Sequence, residues 1–239
     1  WGPVSLKGTE IGWSRGGERD FPNSEGNQVP AEIYDNLYKQ FNPTEFDAEE
    51  WVQIAKDAGM KYLVFTTKHH DGFCMFDSAL TEYDIMNSPY GKDITKQLAE
   101  ACHRNGLKLG FYHSQPDWHH PDYWDPARPI TDRNPNYDTH AEPEKWERFA
   151  RFVYKQIEEL MTDYGHMDVL WLDGGQVRPP NQDIHMDKIA ARARELQPGL
   201  LVADRTVGGD FEDVLTPEQE VPEAPLGCPW ESCMTMGSS

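Results

Sequence analysis

An aspartate ends the apolar run DVLWLDGG at residues 168–175, and two glycines follow it directly. An ionised carboxylate is unfavourable beside an apolar core unless neighbouring groups stabilise it. Asp173 therefore either caps a following helix or lies at the mouth of a functional site. The next helical pattern begins only near Ile184, which is too far along the chain for an N-cap. We therefore interpret Asp173 as a site residue, with Gly174 and Gly175 leaving room for a ligand to approach.

Two adjacent histidines, His69 and His70, lie in the segment TTKHHDGFC. Such a pair suggests a metal site, with Asp71 as a further ligand. Adjacent side chains on an extended backbone point to opposite faces, however, so the two imidazoles are not expected to face one ion. Third and fourth ligands at a typical spacing are also missing from the sequence. We therefore predict no metal and no cofactor, and we expect the pair to hydrogen-bond a polar ligand.

Four β-rich runs alternate with four helical patterns, an order that is typical of a parallel α/β sheet or barrel. The strands are predicted at 61–67, 107–114, 168–173 and 200–205, and the helices at 46–59, 93–106, 144–161 and 187–199. Asp47 is a predicted N-cap, because Glu50 three residues later completes a capping box. No low-complexity linker interrupts the alternation, so one domain is expected.

The connections at the two ends of the predicted sheet differ in length. Each helix returns to the next strand through a tight turn, whereas the first two strands continue into the long segments 68–92 and 115–143. Long loops are tolerated where they carry function. In an α/β barrel they lie at the C-terminal rim of the strands, where active sites are found. The residues expected at this rim are Asp173, His69, His70, Trp118 and Arg205.

The composition restricts the partners of the chain. Its 239 residues carry a formal net charge of -19 at pH 7. Nucleic acid and anionic membrane surfaces both need a basic face, so neither is an expected partner, whereas a neutral sugar is compatible with this charge. The mean hydropathy of -0.75 and the lack of a long apolar run predict no membrane-spanning helix. The four cysteines lack metal-site spacing and are expected to be free, mostly buried thiols.

Aromatic residues are frequent in the predicted rim loops. Their flat faces, together with nearby polar side chains, suit a sugar ring, which has apolar C–H faces and a rim of hydroxyl groups. Trp118 and Trp13 lie in polar loops and are predicted to bind the ligand. Trp51 and Trp146 lie on helical stripes and are predicted to pack in the core.

Several segments occur in a recognisable order: FNPTEFDAEEWVQIAKDAGMKYLVFTTKHHDGFCMF, GLKLGFYHSQPDWHHPDY, DVLWLDGG and CPWESCMTMGSS. Together they resemble the α-L-fucosidases of glycoside hydrolase family 29, and the combination of TTKHHDGFC with WLDGG is specific. The resemblance implies a distorted (β/α) barrel of the TIM type and hydrolysis of α-L-fucosides with retention of configuration. It also implies a fucosylated oligosaccharide or glycoconjugate as substrate, and a periplasmic or extracellular location.

Retaining glycosidases use two carboxylates about 5–5.5 Å apart, one as nucleophile and one as acid and then base. The resemblance assigns the nucleophile to Asp173. The segment ADRTVGGDFEDVLTPEQ resembles one family pattern that implies Glu218 as the acid/base, and CPWESC resembles another that implies Glu231. Trp230 could desolvate Glu231 and raise its pKa, as an acid requires, but Glu218 is slightly preferred. The resemblance also implies that fucose is contacted by His69, His70, Trp171 and Arg205.

The family continues beyond both ends of this chain, with a histidine and a first barrel strand before the initial WG. We therefore expect residues 1–239 to be a catalytic barrel domain that is truncated at both ends and lacks the family's C-terminal β-sandwich. Such a chain is not expected to fold stably alone. Two other functions stay open. One is a non-catalytic sugar-binding protein on a degenerate barrel, and the other is a metal-dependent hydrolase that uses His69 and His70.

Overall fold

The computed structural model describes residues 2–8, 14–15, 29–205, 211–224 and 226–234, and every structural statement below refers to these residues. Within them, four parallel strands form one sheet in the order in which they occur along the chain. This confirms the predicted α/β class with a parallel sheet. Each predicted strand end agrees with the structure to within one residue. The strands are β1 (Tyr62–Lys68), β2 (Lys108–Ser114), β3 (Val169–Asp173) and β4 (Leu201–Asp204).

Helices precede β1 and connect each strand to the next, as predicted. Because neighbouring strands in the sheet are also consecutive in sequence, the sheet has no reversal of strand order of the doubly wound kind. The α-helices are α1 (Ala31–Tyr34), α2 (Ala48–Asp57), α3 (Ile94–Asn105), α4 (Pro143–Thr162) and α5 (Met186–Leu196), and short 3-10 helices lie at Pro3–Lys7, Leu37–Gln40 and Ile85–Asn87.

Side-chain caps and a glycine define the helix ends near the sheet. The Asp47 carboxylate accepts hydrogen bonds of 2.9 and 3.1 Å from the first-turn N–H groups of Glu49 and Glu50, which confirms it as the N-cap of α2. Asp93 caps α3 in the same way. Gly106 ends α3 in a left-handed conformation, with φ of 66°, which glycine adopts without steric cost.

The two faces of the sheet differ in chemistry because side chains alternate along each strand. One face packs against the helices in the main hydrophobic core. The other face carries Asp173, since Asp173 pairs with Ser114 and lies one residue beyond Leu172. The carboxylate that ends the apolar run therefore points away from the helix-packed core, which resolves its apparent conflict with burial. The fully buried apolar strand residues on the helix side are Leu109, Phe111, Leu170, Leu172 and Val202.

The two tryptophans predicted to pack in the core have different environments. Trp146 is 5% exposed and belongs to the main core, as predicted. Trp51 is 46% exposed, so its prediction is wrong. The buried stripe of α2 is formed by Val52 and Ala55, and Trp51 lies beside this stripe. The Trp51 and Phe46 rings pack edge to face, with their centroids 5.0 Å apart.

Two simpler predictions concern the thiols and membrane insertion. All four cysteines are free, as expected, but only Cys74 and Cys102 are buried, whereas Cys228 is exposed and Cys233 is partly exposed. Among the described residues, no helix combines the length and apolar character needed to cross a lipid bilayer.

Candidate functional site

Asp173 lies at the C-terminal end of β3, with its side chain 16% exposed. Its Oδ1 atom accepts a 2.7 Å hydrogen bond from the Gly174 backbone N–H, and its Oδ2 atom accepts one from the Tyr112 hydroxyl. The Arg205 Nε atom lies 3.3 Å from Oδ1, and the His70 Nε2 atom lies 3.9 Å from Oδ2. Hydrogen-bond donors and a positive charge therefore stabilise the ionised carboxylate, which still reaches solvent.

Gly174 fits the backbone tightly against the neighbouring loop. Its φ of 101° lies in the left-handed region, and a Cβ atom there would come within 2.3 Å of the Pro116 Cδ atom. The space beside Gly174 is thus filled by Pro116 rather than left open for a ligand, which corrects the sequence interpretation. Glycine is required here because two rim loops approach each other closely.

Tyr112 is a site residue that the sequence analysis did not identify. Besides bonding Asp173, its ring stacks on Trp171 with centroids 5.2 Å apart, and on His69 at 5.9 Å. Burial, followed by the Asp173 charge, raises the pKa of Tyr112 well above its ordinary value, so the hydroxyl keeps the proton that it donates. The sequence signal was the strand alternation, because Tyr112 shares a face with Ser114, the register partner of Asp173.

Arg205 follows β4 directly and contacts both Asp173 and Glu218. Its φ of 46° is uncommon for a non-glycine residue. The guanidinium contacts Asp173, forms an ion pair with Glu218 and lies 5.4 Å above the centre of the Trp171 ring. Burial opposes its charge, but the bond to Glu218 and the charge of Asp173 together raise the pKa of Arg205 above its usual value. Arg205 is therefore a fixed cation between the two acids.

His69 and His70 follow the last residue of β1 and are 7% and 6% exposed. Their ring centroids are 4.3 Å apart, and together with Asp173 they offer three possible ligand atoms within 4.8 Å of one another. The expectation that the two imidazoles point to opposite faces is wrong. The chain leaves the extended conformation after Lys68 and turns, with the Gly72 N–H bonded to the His69 carbonyl at 3.0 Å, so strand alternation does not apply.

The histidine pair is neutral at neutral pH. Burial lowers the pKa of His70 to about 4, although the charges of Asp173 and Asp71 oppose this shift. Burial, and then the neighbouring His70, lower the pKa of His69 well below its usual value. Neutral imidazoles suit hydrogen bonding to sugar hydroxyls and also metal coordination. The permanent charge of Arg205, 3.3 Å from Asp173, opposes a second cation at this carboxylate. The cluster therefore favours a neutral ligand.

The predicted tryptophans of the site have different positions. Trp118 is 1% exposed, stacks on Trp124 at 4.9 Å, and lies 5.2 Å from the His70 ring. Since it has no exposed ring face, it supports His70 by packing, and the expected direct contact with a sugar is corrected accordingly. Trp171 is 4% exposed on the Asp173 face of the sheet. Trp13 lies outside the described residues.

The two candidate acid/base residues are held in different places. Glu218 forms its ion pair with Arg205, and its side chain is 58% exposed. Glu231 accepts hydrogen bonds of 2.5 Å from the Trp171 indole N–H and from the Tyr62 hydroxyl. Trp171 precedes the end of β3 by two residues, about 7 Å along a strand. Glu231 therefore lies towards the middle of the sheet. Glu218 lies at the C-terminal end of β3, where it shares Arg205 with Asp173.

A buried ion pair fixes the loop that follows β2. The Lys68 Nζ atom lies 3.2 Å from Asp117 Oδ2, with side chains 0% and 4% exposed. The other Asp117 oxygen accepts the backbone N–H groups of His119 and His120 at 3.0 and 2.9 Å. Burial alone would raise the pKa of Asp117, but Lys68 and the two histidines hold it below its usual value. His119 and His120 thus belong to an ordered loop.

Comparisons with known proteins agree with one family. Residues 1–239 match the family model described as alpha-L-fucosidase. The chain is 35% identical over 139 residues to Alpha-L-fucosidase 1 of Arabidopsis thaliana, covering 57% of this chain and 24% of that protein. It is 32% identical over 189 residues to Putative alpha-L-fucosidase 1 of Oryza sativa, covering 78% of this chain and 32% of that protein.

Solved structures show the same similarity. Alpha-L-fucosidase isoenzyme 1 from Paenibacillus thiaminolyticus has a TM-score of 0.74 and 38% identity, covering 86% of this chain and 52% of that protein. Unliganded AlfC from Lactobacillus casei has a TM-score of 0.68 and 34% identity, covering 86% and 65% of the two chains. The chain therefore spans only part of each of these proteins.

Proposed function

Because this chain belongs to the alpha-L-fucosidase family, we propose that it carries the catalytic site of an enzyme that removes terminal α-L-fucose from glycans. The observation that supports this most is the setting of Asp173, an oriented and partly exposed carboxylate beside a fixed cation. A nucleophile for an anomeric carbon needs these properties. The substrate class is supported by relatives, since solved structures of AlfC hold α-L-fucose and Fuca(1,6)GlcNAc.

We further propose that the sheet is an arc of a (β/α) barrel of the TIM type. Its strands are parallel and consecutive, and the candidate site lies at their C-terminal ends, as in such barrels. The face that carries Tyr112, Trp171 and Asp173 would then be the barrel interior. This arrangement would expose the Asp173 carboxylate to a substrate that enters from the rim.

In the first half-reaction, an Asp173 oxygen attacks the anomeric carbon of fucose while the bond to the leaving oxygen breaks. A glutamic acid gives its proton to that oxygen, and fucose is left as an ester of Asp173. The Tyr112 hydroxyl and the Gly174 N–H hold the carboxylate in one orientation before the substrate arrives. Such prior orientation lowers the entropic cost of the attack.

In the second half-reaction, a water molecule attacks the same carbon, and the glutamate now accepts its proton. The ester bond breaks and the Asp173 carboxylate is restored. Two successive inversions at one carbon yield α-L-fucose, so the configuration of the substrate is retained.

We assign the acid/base role to Glu218 in preference to Glu231. Glu218 shares Arg205 with Asp173, whereas Glu231 is bonded to Trp171 and Tyr62. During the proposed cycle, one carboxylate is ionised while the other is esterified or protonated. A single guanidinium that contacts both can therefore balance one negative charge in each state.

His69, His70, Trp171 and Arg205 are the proposed contacts of the fucose ring. The two neutral imidazoles can accept or donate hydrogen bonds to its hydroxyls. Trp171 stays a proposed contact because it lies on the Asp173 face of the sheet, where its ring packs against Tyr112 and Arg205. Trp13 remains a predicted contact, and Trp118 is proposed to support His70 instead of the sugar.

The proposal is tested by hydrolysis of an aryl α-L-fucoside by the full-length protein and its Asp173→Gly variant. We expect turnover to fall at least about a thousandfold, because removal of a nucleophile abolishes the covalent route. Azide should restore activity and yield the inverted fucosyl azide. The exposed Asp163→Gly variant, at the C-terminal end of α4, is the matched control and should retain wild-type turnover.

Other outcomes distinguish the competing functions. Unchanged turnover in Asp173→Gly would show that Asp173 is not the nucleophile. Fucose binding without hydrolysis by the wild type would support a non-catalytic sugar-binding protein. Loss of activity on treatment with a chelator, restored by metal, would support the metal-dependent hydrolase.

The acid/base assignment is tested by Glu218→Gln and Glu231→Gln. An acid/base variant still forms the ester with an activated aryl fucoside but hydrolyses it slowly, so azide should accelerate turnover and yield the retained fucosyl azide. We expect this behaviour for Glu218→Gln only. Rescue of Glu231→Gln instead would move the assignment to Glu231.

A further inference from the structure

A cavity of about 510 Å³ lies between the loop that follows β2 and the loop that follows β3. Its volume falls in the range of ligand pockets, roughly 300–1,000 Å³. Both loops leave the C-terminal end of the sheet, the same end as Asp173. Its lining includes Asn134, His140, Asn181 and Gln182, and none of these residues belongs to the site described above.

Hydrogen bonds between the two loops form the wall of this cavity. The Gln182 side-chain N–H donates to the Asn134 side-chain oxygen at 2.9 Å, and Gln182 is 7% exposed. His140 Nε2 lies 3.1 Å from the Asn181 side-chain oxygen, and the Thr139 hydroxyl donates to the Asn181 carbonyl. The cavity is therefore a built feature that joins the two loops.

The chemistry of the lining selects a neutral, hydroxyl-rich ligand. Three side-chain amides, of Asn134, Asn181 and Gln182, can each donate and accept hydrogen bonds, which matches the hydroxyl groups of a sugar. The lining contains no lysine or arginine, so it has no fixed cation for a phosphate or sulfate. Its one carboxylate, that of Asp138, already accepts the backbone N–H groups of His140 and Ala141.

A chain of contacts connects the cavity with the histidine pair. The residue before Asn134 is Arg133, whose carbonyl accepts a 3.3 Å hydrogen bond from the Trp118 indole N–H. Trp118 in turn lies against His70, with ring centroids 5.2 Å apart. The positive charge of Arg133 also contributes to the low pKa of His70. Trp118 thus packs against His70 on one side and bonds the backbone next to the cavity lining on the other.

We propose that this cavity is a second subsite, which binds neutral sugar residues of the glycan beyond the terminal fucose. The inference rests on the proposed function, because the fucose must occupy the site at Asp173 while the remaining glycan reaches the cavity. It assigns the side-chain amides of Asn181 and its neighbours to recognition of the leaving group. Hydrolysis of an aryl fucoside, which has no such glycan, does not require the cavity.

The test compares two substrates, an aryl α-L-fucoside and a fucosylated oligosaccharide, in the full-length protein. Asn181→Trp fills the cavity, and His140→Ala, at an exposed position, is a milder second variant. We expect kcat/KM for the oligosaccharide to fall about 10-fold in Asn181→Trp, as for the loss of one or two neutral hydrogen bonds. The value for the aryl fucoside should stay within about twofold. Lys188→Trp, exposed on α5, is the matched control and should affect neither substrate.

Binding of the same oligosaccharide without fucose, measured by NMR, separates this inference from the proposed function. Wild type should bind it and Asn181→Trp should not. Equal losses on both substrates, or no loss on either, would overturn the subsite. If the wild type binds this oligosaccharide but hydrolyses no fucoside, the fucosidase proposal fails together with the leaving-group role, and the cavity remains only a glycan-binding site. Absence of binding by the wild type would overturn the cavity assignment.

Discussion

Acidification should destabilise this protein through His70. Burial lowers the pKa of His70 to about 4 in the folded state, whereas an unfolded histidine titrates near ~6.5. Between these values the unfolded chain binds the proton and the folded protein does not, so stability rises with pH and is lost as pH falls through this window. The difference corresponds to roughly 3 kcal/mol over the whole window. Roughly 2 kcal/mol of it is lost between about pH 7 and pH 5.

The assay is urea-induced unfolding of the full-length protein at pH 7 and pH 5, for wild type and His70→Gln. Glutamine retains hydrogen-bonding groups but does not titrate, so the variant lacks the contribution of His70. Because burial also lowers the pKa values of His69 and His113, both proteins should lose stability on acidification. The wild type should lose about 2 kcal/mol more than the variant. An NMR titration of the His70 ring should give a midpoint near 4.

Two results would refute this reasoning. Equal losses of stability in wild type and His70→Gln would show that His70 does not carry the pH dependence. An NMR midpoint near ~6.5 would show that His70 is not desolvated in the folded protein, contrary to its 6% exposure.

Three substitutions test other contacts of the site. Tyr112→Phe removes the hydroxyl that donates to Asp173, and since hydrogen bonds to charged groups contribute about 1.5–3 kcal/mol, kcat/KM for an aryl fucoside should fall about 10- to 100-fold. Lys68→Met leaves a buried carboxylate without its cation and should lower the free energy of unfolding in urea by about 3–5 kcal/mol. Gly174→Ala places a Cβ atom 2.3 Å from the Pro116 ring at a residue with left-handed backbone conformation. This substitution should lower the free energy of unfolding by at least about 2 kcal/mol, measured by thermal unfolding.

Each substitution has a matched comparison. Tyr83 is buried, and its hydroxyl has no hydrogen-bond partner among the described residues, so Tyr83→Phe should leave kcat/KM unchanged. Adding Asp117→Asn to Lys68→Met should recover part of the stability, and no recovery would show that the pair is not coupled. Gly199→Ala has a φ of 89° but no atom within 4 Å, so it measures backbone strain alone. A loss in Gly199→Ala as large as that in Gly174→Ala would contradict the steric argument.

The strands and helices could be predicted because their signals are local. Asp47 supplies a side-chain cap, Gly106 supplies the left-handed residue that ends a helix, and apolar runs mark the strands. Whether a side chain is covered by the rest of the protein does not depend on the local sequence. Trp51 shares the helical period of a core residue but lies beside the buried stripe of α2, and Trp118 lies in a polar loop but is covered by Trp124.

The site could be predicted where its residues directly follow strands, because parallel strands end at the same edge of the sheet. Asp173, His70 and Arg205 were predicted at this edge, and they lie in contact there. Tyr112 was missed because its contact depends on the register between β2 and β3, which the sequence does not specify. The orientation of the histidine pair depends on a turn after β1, and the positions of the two glutamates depend on a segment with little regular structure.

The central claim is that Asp173 forms a covalent bond with the sugar. The most direct measurement is to trap the full-length protein with a mechanism-based fluorinated fucosyl reagent and to identify the labelled residue by mass spectrometry of its peptides. We predict a single fucosyl label on Asp173, in the peptide that contains WLDGG. A label on Glu218, Glu231 or any other side chain would contradict the account.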